Sequence, residues 1–163
     1  MEEILRSVSL RPAISNDESL LLNLYASTRS NELDLLNWDD KQKQAFIDMQ
    51  FSAQRQQHLI CYPQADSSII LLNDDAVGRL LVNRRERELT LVDISLLPAH
   101  QRFGIGTHLM RELLKEAAAA AKPVRLHVLQ SNPARNLYER LGFSIVSGDS
   151  IYCEMLWVPT DKI

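Results

Sequence analysis

The sequence predicts an α/β protein of the α+β type, with a mixed, mostly antiparallel central sheet and helices on both faces. Two observations predict this fold. Strand-like runs at 68–72, 76–82 and 89–97 follow one another with only short turns between them, which is typical of an antiparallel meander. A helical pattern then separates the third run from a fourth at 124–129, and a strand–helix–strand unit of this kind places its two strands in parallel.

The other elements follow from local signals along the chain. A short strand is predicted at 10–14, and Asn16-Asp17 is a cap for a helix over 18–25. Trp38-Asp39-Asp40 is predicted to cap a second helix that reaches residue 57, and a final hairpin is predicted from 144–147 and 151–158. The helix that ends near Lys122 has a predicted buried stripe, made of Ile105, Leu109, Met110, Leu113, Leu114, Ala117, Ala118 and Ala121.

Length and composition favour one domain over residues 1–163. The chain has 163 residues, of which 45% are hydrophobic, which suffices for one core. The net charge of −3 argues against nucleic-acid binding, and no apolar run approaches the roughly 20 residues that a membrane span needs. The acidic start of the chain lacks a signal-peptide pattern, and Cys61 and Cys153 lack metal-site or disulfide spacing. We therefore expect a cytoplasmic location, with no metal, nucleic acid or membrane as a partner.

The most informative segment is Gln101-Arg102-Phe103-Gly104-Ile105-Gly106, which lies between a strand-like run and a helical pattern. The first N–H groups of a helix have no partner within it, and the helix dipole places partial positive charge there. Glycine at 104 and 106 lets an anion approach the backbone closely. The segment therefore predicts a pyrophosphate-binding loop.

Spacing excludes the two common nucleotide loops. A dinucleotide fingerprint needs a small residue three places after its second glycine, where this chain has Leu109. A Walker loop needs Gly-Lys-Ser/Thr, whereas Gly106 is followed by Thr107-His108. An enzyme acting on nucleotide phosphates is accordingly disfavoured.

The pattern Gln/Arg-x-x-Gly-x-Gly resembles the acyl-CoA loop of the GCN5-related N-acetyltransferase (GNAT) superfamily. Downstream, Asn132-Pro-Ala-Arg-Asn-Leu-Tyr-Glu-Arg-Leu-Gly-Phe143 is similar to that superfamily's segment with a CoA-contacting Asn and a Tyr near the thioester sulfur. The order of elements agrees over roughly residues 77–158. The resemblance implies the GNAT acyl-CoA N-acyltransferase fold and transfer of an acetyl group from acetyl-CoA directly to a primary amine.

The resemblance also implies how acetyl-CoA would bind. The strands that end near 97 and begin near 124 are expected to splay apart, so that the pantetheine arm bonds to the backbone of Leu96 and Leu97. Asn132 would lie near the same arm, although as a helix cap before Pro133 it also has a structural explanation. The pyrophosphate would contact the loop residues, which are Gln101, Arg102, Phe103, Gly104, Ile105, Gly106 and Thr107.

Two residues are the predicted catalytic groups. Tyr138 matches the family's tyrosine and would protonate the departing thiolate, since a phenol near the sulfur can act as a general acid. Asp93 lies mid-strand, where an unpaired carboxylate would be costly, so it is expected to face a cleft or a partner and is the first candidate for the base. His127 and Glu154 are the other candidates for the base.

The acceptor stays open at the level of sequence. Residues 32–46 and 151–157 are expected to line the acceptor side, and aminoglycosides, polyamines, amino acids and protein N-termini are all compatible with them. The clustered carboxylates Glu32, Asp34, Asp39 and Asp40 would suit an amine cation. A non-catalytic acyl-CoA sensor or interaction module is the alternative function, which a cleft plugged by Trp38 would favour. An exposed last strand also allows an edge-to-edge homodimer.

Overall fold

The computed structural model describes residues 2–160, and within them seven strands form one sheet in the order β1-β2-β3-β4-β5-β7-β6. Only β4 and β5 are parallel, and every other neighbouring pair is antiparallel, which confirms the mixed, mostly antiparallel sheet. The strands are β1 (Val8–Pro12), β2 (Asp66–Leu72), β3 (Asp75–Arg84), β4 (Leu89–Leu96), β5 (Val124–Leu129), β6 (Ser144–Gly148) and β7 (Tyr152–Trp157).

Helices cover both faces of this sheet. They are α1 (Glu2–Arg6), α2 (Glu18–Asp34), α3 (Asp40–Cys61), α4 (Ile105–Ala119) and α5 (Ala134–Arg140), with short 3-10 turns at Ser15–Asp17 and Pro98–His100. Successive side chains of a strand point to opposite faces. Accordingly, Leu80 packs in the core beneath α4, whereas Arg79 and Leu81 line cavities beneath α2 and α3.

The main core lies between the sheet and α4. Six predicted stripe residues of α4 are buried, namely Ile105, Leu109, Met110, Leu113, Leu114 and Ala117, whereas Ala118 and Ala121 are exposed. The helix also ends at Ala119, earlier than predicted. Its end is set by Ala121 in a left-handed conformation (φ 56°), with the Lys122 N–H donating to the Ala117 carbonyl at 2.9 Å. The buried stripe therefore ends at Ala117, and the part of the predicted stripe beyond it is exposed.

The helix starts show one prediction confirmed and one wrong. Asp39 caps α3 as expected, since its side chain accepts from the Gln42 N–H at 2.8 Å. Asp17 precedes α2 but does not cap it, because its carboxylate accepts from the Ile14 N–H and from Arg11 instead. The α2 and α3 helices pack on each other through a smaller cluster formed by Tyr25, Leu33, Ile47 and Phe51.

Other boundaries also differ from the predicted ones. The first strand is Val8–Pro12 rather than 10–14, because it pairs with Ser68–Leu72 of β2 over that range. The α2 helix continues beyond residue 25 to Asp34, and α3 continues beyond 57 to Cys61. Among residues 2–160, no helix has both the length and the apolar content needed to cross a membrane.

Candidate active site

A bulge in β4 opens the sheet at its centre. Opposite β3, Leu91 pairs with Val82 and Asp93 pairs with Leu81, so that Val92 is an extra residue. The pairing of β4 with β5 ends at this point, with Leu91 beside Leu126. A bulge bends its strand and increases the local twist. The remainders of β4 and β5 therefore diverge, as the family resemblance implied.

The divergence leaves a backbone edge of β4 without a strand beside it. The Leu97 N–H donates to the Val77 carbonyl at 2.9 Å, so Leu97 bonds toward β3. Bonding direction alternates along a strand, so Ile94 and Leu96 direct their N–H and C=O groups into the gap. Of the two residues predicted to offer this edge, Leu96 faces the gap and Leu97 does not. Ile94 was not predicted to face the gap. The bulge at Val92 changes which residues of β4 direct their backbone groups into the gap, and the sequence does not reveal the bulge.

The predicted anion loop links this edge to α4. Arg102 (φ 68°) and Gly104 (φ 83°) take left-handed conformations that turn the chain into the helix. The His108 N–H donates to the Gly104 carbonyl at 2.9 Å, which begins the hydrogen bonding of α4. The N–H groups of Ile105, Gly106 and Thr107 come before this bond and therefore have no acceptor within the helix. A Cβ atom built on Gly106 would meet nothing within 4 Å. The helix therefore presents N–H groups beside open space.

The other loop residues differ in role. Arg102 and Phe103 are exposed, whereas the Ile105 side chain is buried in the core and can offer only its backbone. The Gln101 side chain folds back, and its Nε2 donates to the Leu96 carbonyl at 3.0 Å. Gln101 thus fixes the loop to the open edge of β4 and occupies one acceptor there.

A cavity of about 320 Å³ lies between the diverging strands and the helices α2 and α3. It brings Asp93 of β4 together with Asn132 and Tyr138, which lie about 40 residues later in the sequence, at and near α5. Its lining also includes α2 and α3 residues that the sequence did not single out, namely Leu21, Leu24, Tyr25, Thr28, Arg29, Phe51 and Gln54. The expected specificity region at 32–46 does not line the cavity, whereas Tyr152, within the expected 151–157 region, does.

Asp93 both faces the cavity and has partners. Its Oδ2 accepts from Arg79 Nη2 at 2.8 Å, from Arg79 Nε at 3.2 Å and from the Ser95 hydroxyl at 3.2 Å. All these bonds go to one oxygen, so Oδ1 has no donor among them. The signal for Arg79 was present in the sequence, since it is a lone charged residue within an apolar run next to the strand that carries Asp93.

Tyr138 is 7% exposed and lies on α5 against Phe143, with the ring centroids 5.8 Å apart. Burial, with a smaller effect of the Asp93 charge, raises the pKa of the Tyr138 phenol to about 12. The phenol is therefore protonated at neutral pH, in the state that can donate a proton.

Glu154 and His127 are the other candidates for the base, and of these two only His127 lines the cavity. Glu154 accepts from the Ser147 hydroxyl and from Arg125, and these bonds lower the pKa of its carboxyl. His127 lines the cavity, and its Nε2 lies 3.6 Å from Glu154.

Asn132 accepts the Ala134 N–H through its Oδ1 at 2.9 Å, so it caps α5 as expected and only its amide nitrogen is free of that role. Within residues 2–160, no group of three or more His, Cys, Asp or Glu side chains could hold a metal ion.

Comparison with known proteins agrees with this geometry. Over residues 29–143 the chain matches the model of the acetyltransferase (GNAT) family. It is 35% identical over 80 residues to a [ribosomal protein bS18]-alanine N-acetyltransferase of Haemophilus influenzae, a match that covers 47% of this chain and 53% of that protein. The match thus spans about half the length of that relative.

Solved structures show the same fold at low identity. The PaiA N-acetyltransferase of Thermoplasma acidophilum, in complex with coenzyme A, superposes with a TM-score of 0.69 at 18% identity, over 93% of this chain and 99% of that one. A GNAT family acetyltransferase of Elizabethkingia anophelis with acetyl-CoA bound gives a TM-score of 0.61 at 13% identity, over 93% and 98%. With a matching family model from α2 to α5 and this fold, the chain belongs to the acetyltransferase (GNAT) family.

Proposed function

We propose that this protein is an N-acetyltransferase that moves the acetyl group of acetyl-CoA directly to a primary amine of a small molecule or peptide. One observation carries the proposal. The open edge of β4 leads from the N-terminus of α4 to a cavity that contains both an available carboxylate oxygen and a protonated, buried phenol. Membership of the acetyltransferase family supports the same conclusion.

The residues of the gap fit the chemical groups of acetyl-CoA. Ile94 and Leu96 offer backbone groups at the spacing of a strand, which the pantetheine amides can match as an added strand would. The N–H groups from Arg102 to Thr107 would bind the pyrophosphate, which the dipole of α4 also favours. Because the Leu96 carbonyl already accepts from Gln101, we expect that side chain to move aside or to share the carbonyl with pantetheine.

The catalytic roles follow from protonation states. An alkylammonium with a pKa near 10 is mostly protonated at pH 7 and must lose a proton before it can attack. Asp93 Oδ1, the oxygen that Arg79 and Ser95 leave unoccupied, would accept that proton directly or through a water molecule. Tyr138 would protonate the thiolate as it departs, since a phenol that is protonated at working pH is a suitable general acid.

The alternative function is a non-catalytic acyl-CoA sensor on the same fold. A filled acceptor side would favour it, and Trp38 is the bulky residue that could fill that side. Trp38 instead packs edge-on against Phe46, with ring centroids 5.3 Å apart, and does not line the cavity. An open acceptor cavity supports the enzyme.

Two measurements test the proposal. Calorimetric titration should show binding of acetyl-CoA but not of ATP or NAD, and free thiol should then appear when acetyl-CoA is supplied with a panel of primary amines. Binding without thiol release from any amine would favour the sensor. Absence of binding, also with longer acyl-CoAs, would overturn the assignment of the Gln101–Gly106 loop and the enzyme with it.

A further inference from the structure

The charged residues that line the acceptor cavity do not balance. Arg79 and Asp93 neutralise each other across 2.8 Å, and the remaining permanent charge in the lining is the guanidinium of Arg29. Among the described side chains, no carboxylate forms an ion pair with Arg29. A cationic group in a partly buried cavity attracts anions more strongly than one on the open surface, because solvent screens it less.

Arg29 is also held in a defined position on α2. Its Nε donates to the Tyr25 hydroxyl at 3.3 Å, and its guanidinium lies 4.9 Å from the centre of the Tyr25 ring. The Tyr25 hydroxyl in turn donates to Gln50 Oε1 on α3 at 3.2 Å. This chain of bonds uses Nε and leaves the two Nη groups, which form the fork that suits a carboxylate.

Resting on the proposed function, we propose that Arg29 binds a carboxylate of the acceptor, so that the substrates are amines that carry an acidic group, such as free amino acids. The amine would lie at Asp93 of β4 and the carboxylate at Arg29 of α2, which both line one cavity of about 320 Å³. That volume is at the small end of the range for ligand pockets, which is roughly 300 to 1,000 Å³. A small amino acid would meet the uncompensated Arg29 with its carboxylate and offer its amine to Asp93 Oδ1, the oxygen that Arg79 and Ser95 leave unoccupied.

The same charges disfavour two of the acceptor classes that the sequence left open. Polyamines and aminoglycosides carry several cationic groups and would meet the uncompensated Arg29. None of the four clustered carboxylates that the sequence offered for an amine cation, namely Glu32, Asp34, Asp39 and Asp40, lines the cavity. Two of them also have other partners, since Asp34 pairs with Lys43 at 3.3 Å and Asp39 caps α3.

The experiment compares matched acceptors on the wild-type protein. Each amino acid is paired with its own methyl ester, which keeps the amine and removes the negative charge, and thiol release from acetyl-CoA is followed. We expect kcat/KM to favour the free acid by at least about 30-fold, as is reasonable for a charge-assisted bidentate contact. A second pair is two short peptides with amidated C-termini and a neutral or an acidic second residue. Reaction of the acidic peptide alone identifies an acidic side chain as a source of the carboxylate, whereas equal reaction of both counts against a carboxylate-binding role of Arg29.

Variants then assign the effect to Arg29. Arg29→Gln should raise KM for the free acid by about 30-fold or more with little change for the ester, and Arg29→Lys should recover part of the loss, because it restores charge without the fork. Arg87→Gln removes an exposed arginine that does not line the cavity and should leave KM unchanged for both substrates. If Arg29→Gln fails to fold, the wild-type acid–ester comparison still tests the acidic acceptor, and Arg29→Lys tests the residue.

Each outcome has a distinct meaning. Equal rates for acid and ester, or a preference for polyamines, would overturn the role of Arg29 while leaving the acetyltransferase intact. Loss of rate with acid and ester alike in Arg29→Gln would also overturn it, because a purely structural role predicts that result. No transfer to any amine would instead contradict the proposed function itself.

Discussion

At the scale of single residues, the site places two ionisable groups in surroundings that suit opposite tasks. Tyr138 is buried, and burial raises the pKa of its phenol to about 12, so the phenol keeps its proton at neutral pH. Asp93 lines the same cavity and is held by Arg79 and Ser95 at one carboxylate oxygen only. The phenol is thus placed to donate a proton and the second oxygen of the carboxylate to accept one.

Tyr138→Phe tests the donor. We expect kcat to fall by about 10- to 1000-fold, since the ring packing against Phe143 is kept and only the proton donor is lost. Calorimetry should give an acetyl-CoA Kd close to that of the wild type, which separates chemistry from binding. An unchanged kcat would remove the phenol from the mechanism.

Gly106→Ala tests the anion site. The added methyl group enters open space at the start of α4, so the folded protein should be unaffected or slightly more stable, by up to about 1 kcal/mol, because alanine favours helix more than glycine does. If the pyrophosphate lies there, the same methyl group should weaken acetyl-CoA binding by about 10-fold, equal to about 1.4 kcal/mol. Binding of S-acetylpantetheine, which lacks the pyrophosphate, is the control and should not change. Equal acetyl-CoA affinity in both proteins would place the pyrophosphate elsewhere.

Local sequence revealed some residues of the site and concealed others. The anion loop and Tyr138 lie in contiguous motifs, and the charge of Asp93 stands out within an apolar strand. Arg29 and Ile94 have no such signal. Arg29 enters the cavity only because α2 packs beside the sheet, and Ile94 faces the gap only because the bulge at Val92 changes the alternation of β4.

At the scale of elements, the gap depends on how tightly β3 and β4 approach each other beside it. Gly78 of β3 pairs with Leu96, and a Cβ atom at Gly78 would collide with the backbone carbonyl of Ser95. Backbone cannot give way as a flexible side chain can. The close approach therefore requires glycine at this position and fixes the part of β4 that carries Ser95 and Leu96.

Gly78→Ala should consequently destabilise the fold. We expect the free energy of unfolding to fall by about 1–3 kcal/mol, as for other overpacked sites, with the loss measured by urea denaturation. Gly106→Ala is the matched control, since the same change there meets no atom. A Gly78→Ala protein as stable as the wild type would mean that β3 and β4 can separate without cost.

Element types were easier to predict than element ends. The meander, the strand–helix–strand unit and the final hairpin follow from apolar periodicity and turn residues, which are local. The end of α2 is not local, because its polar second half, up to Asp34, is held by packing of Leu33 with α3 residues such as Ile47. The bulge at Val92 likewise reflects the pairing of β4 with two different neighbours, which no single strand encodes.

At the scale of the whole molecule, ion pairs connect parts of the chain that the core does not. Arg11 of the edge strand β1 binds Asp17 at the entrance to α2, with Nη2 2.7 Å from Oδ1 and Nη1 2.8 Å from Oδ2. The start of α2, a helix that lines the cavity, is thereby fastened to the sheet. This bidentate pair should make the stability of the molecule sensitive to acid.

The direction of that sensitivity follows from the pKa of Asp17. Its hydrogen bonds with the Arg11 side chain and the Ile14 N–H lower the pKa of the carboxyl to about 2, against about 3.9 in an unfolded chain. A carboxyl whose pKa is lowered on folding stabilises the protein above its unfolded pKa, and that stabilisation disappears as the pH falls through the folded value.

Asp17→Asn should therefore be less stable than the wild type at pH 7, and the difference in the free energy of unfolding should shrink between about pH 4 and pH 2. Urea denaturation across this range measures it, with Glu86→Gln, an exposed carboxylate of the β3–β4 turn, as the control that should follow the wild type. A difference that stayed constant down to pH 2 would mean that the Asp17 charge is not what fastens α2 to the sheet.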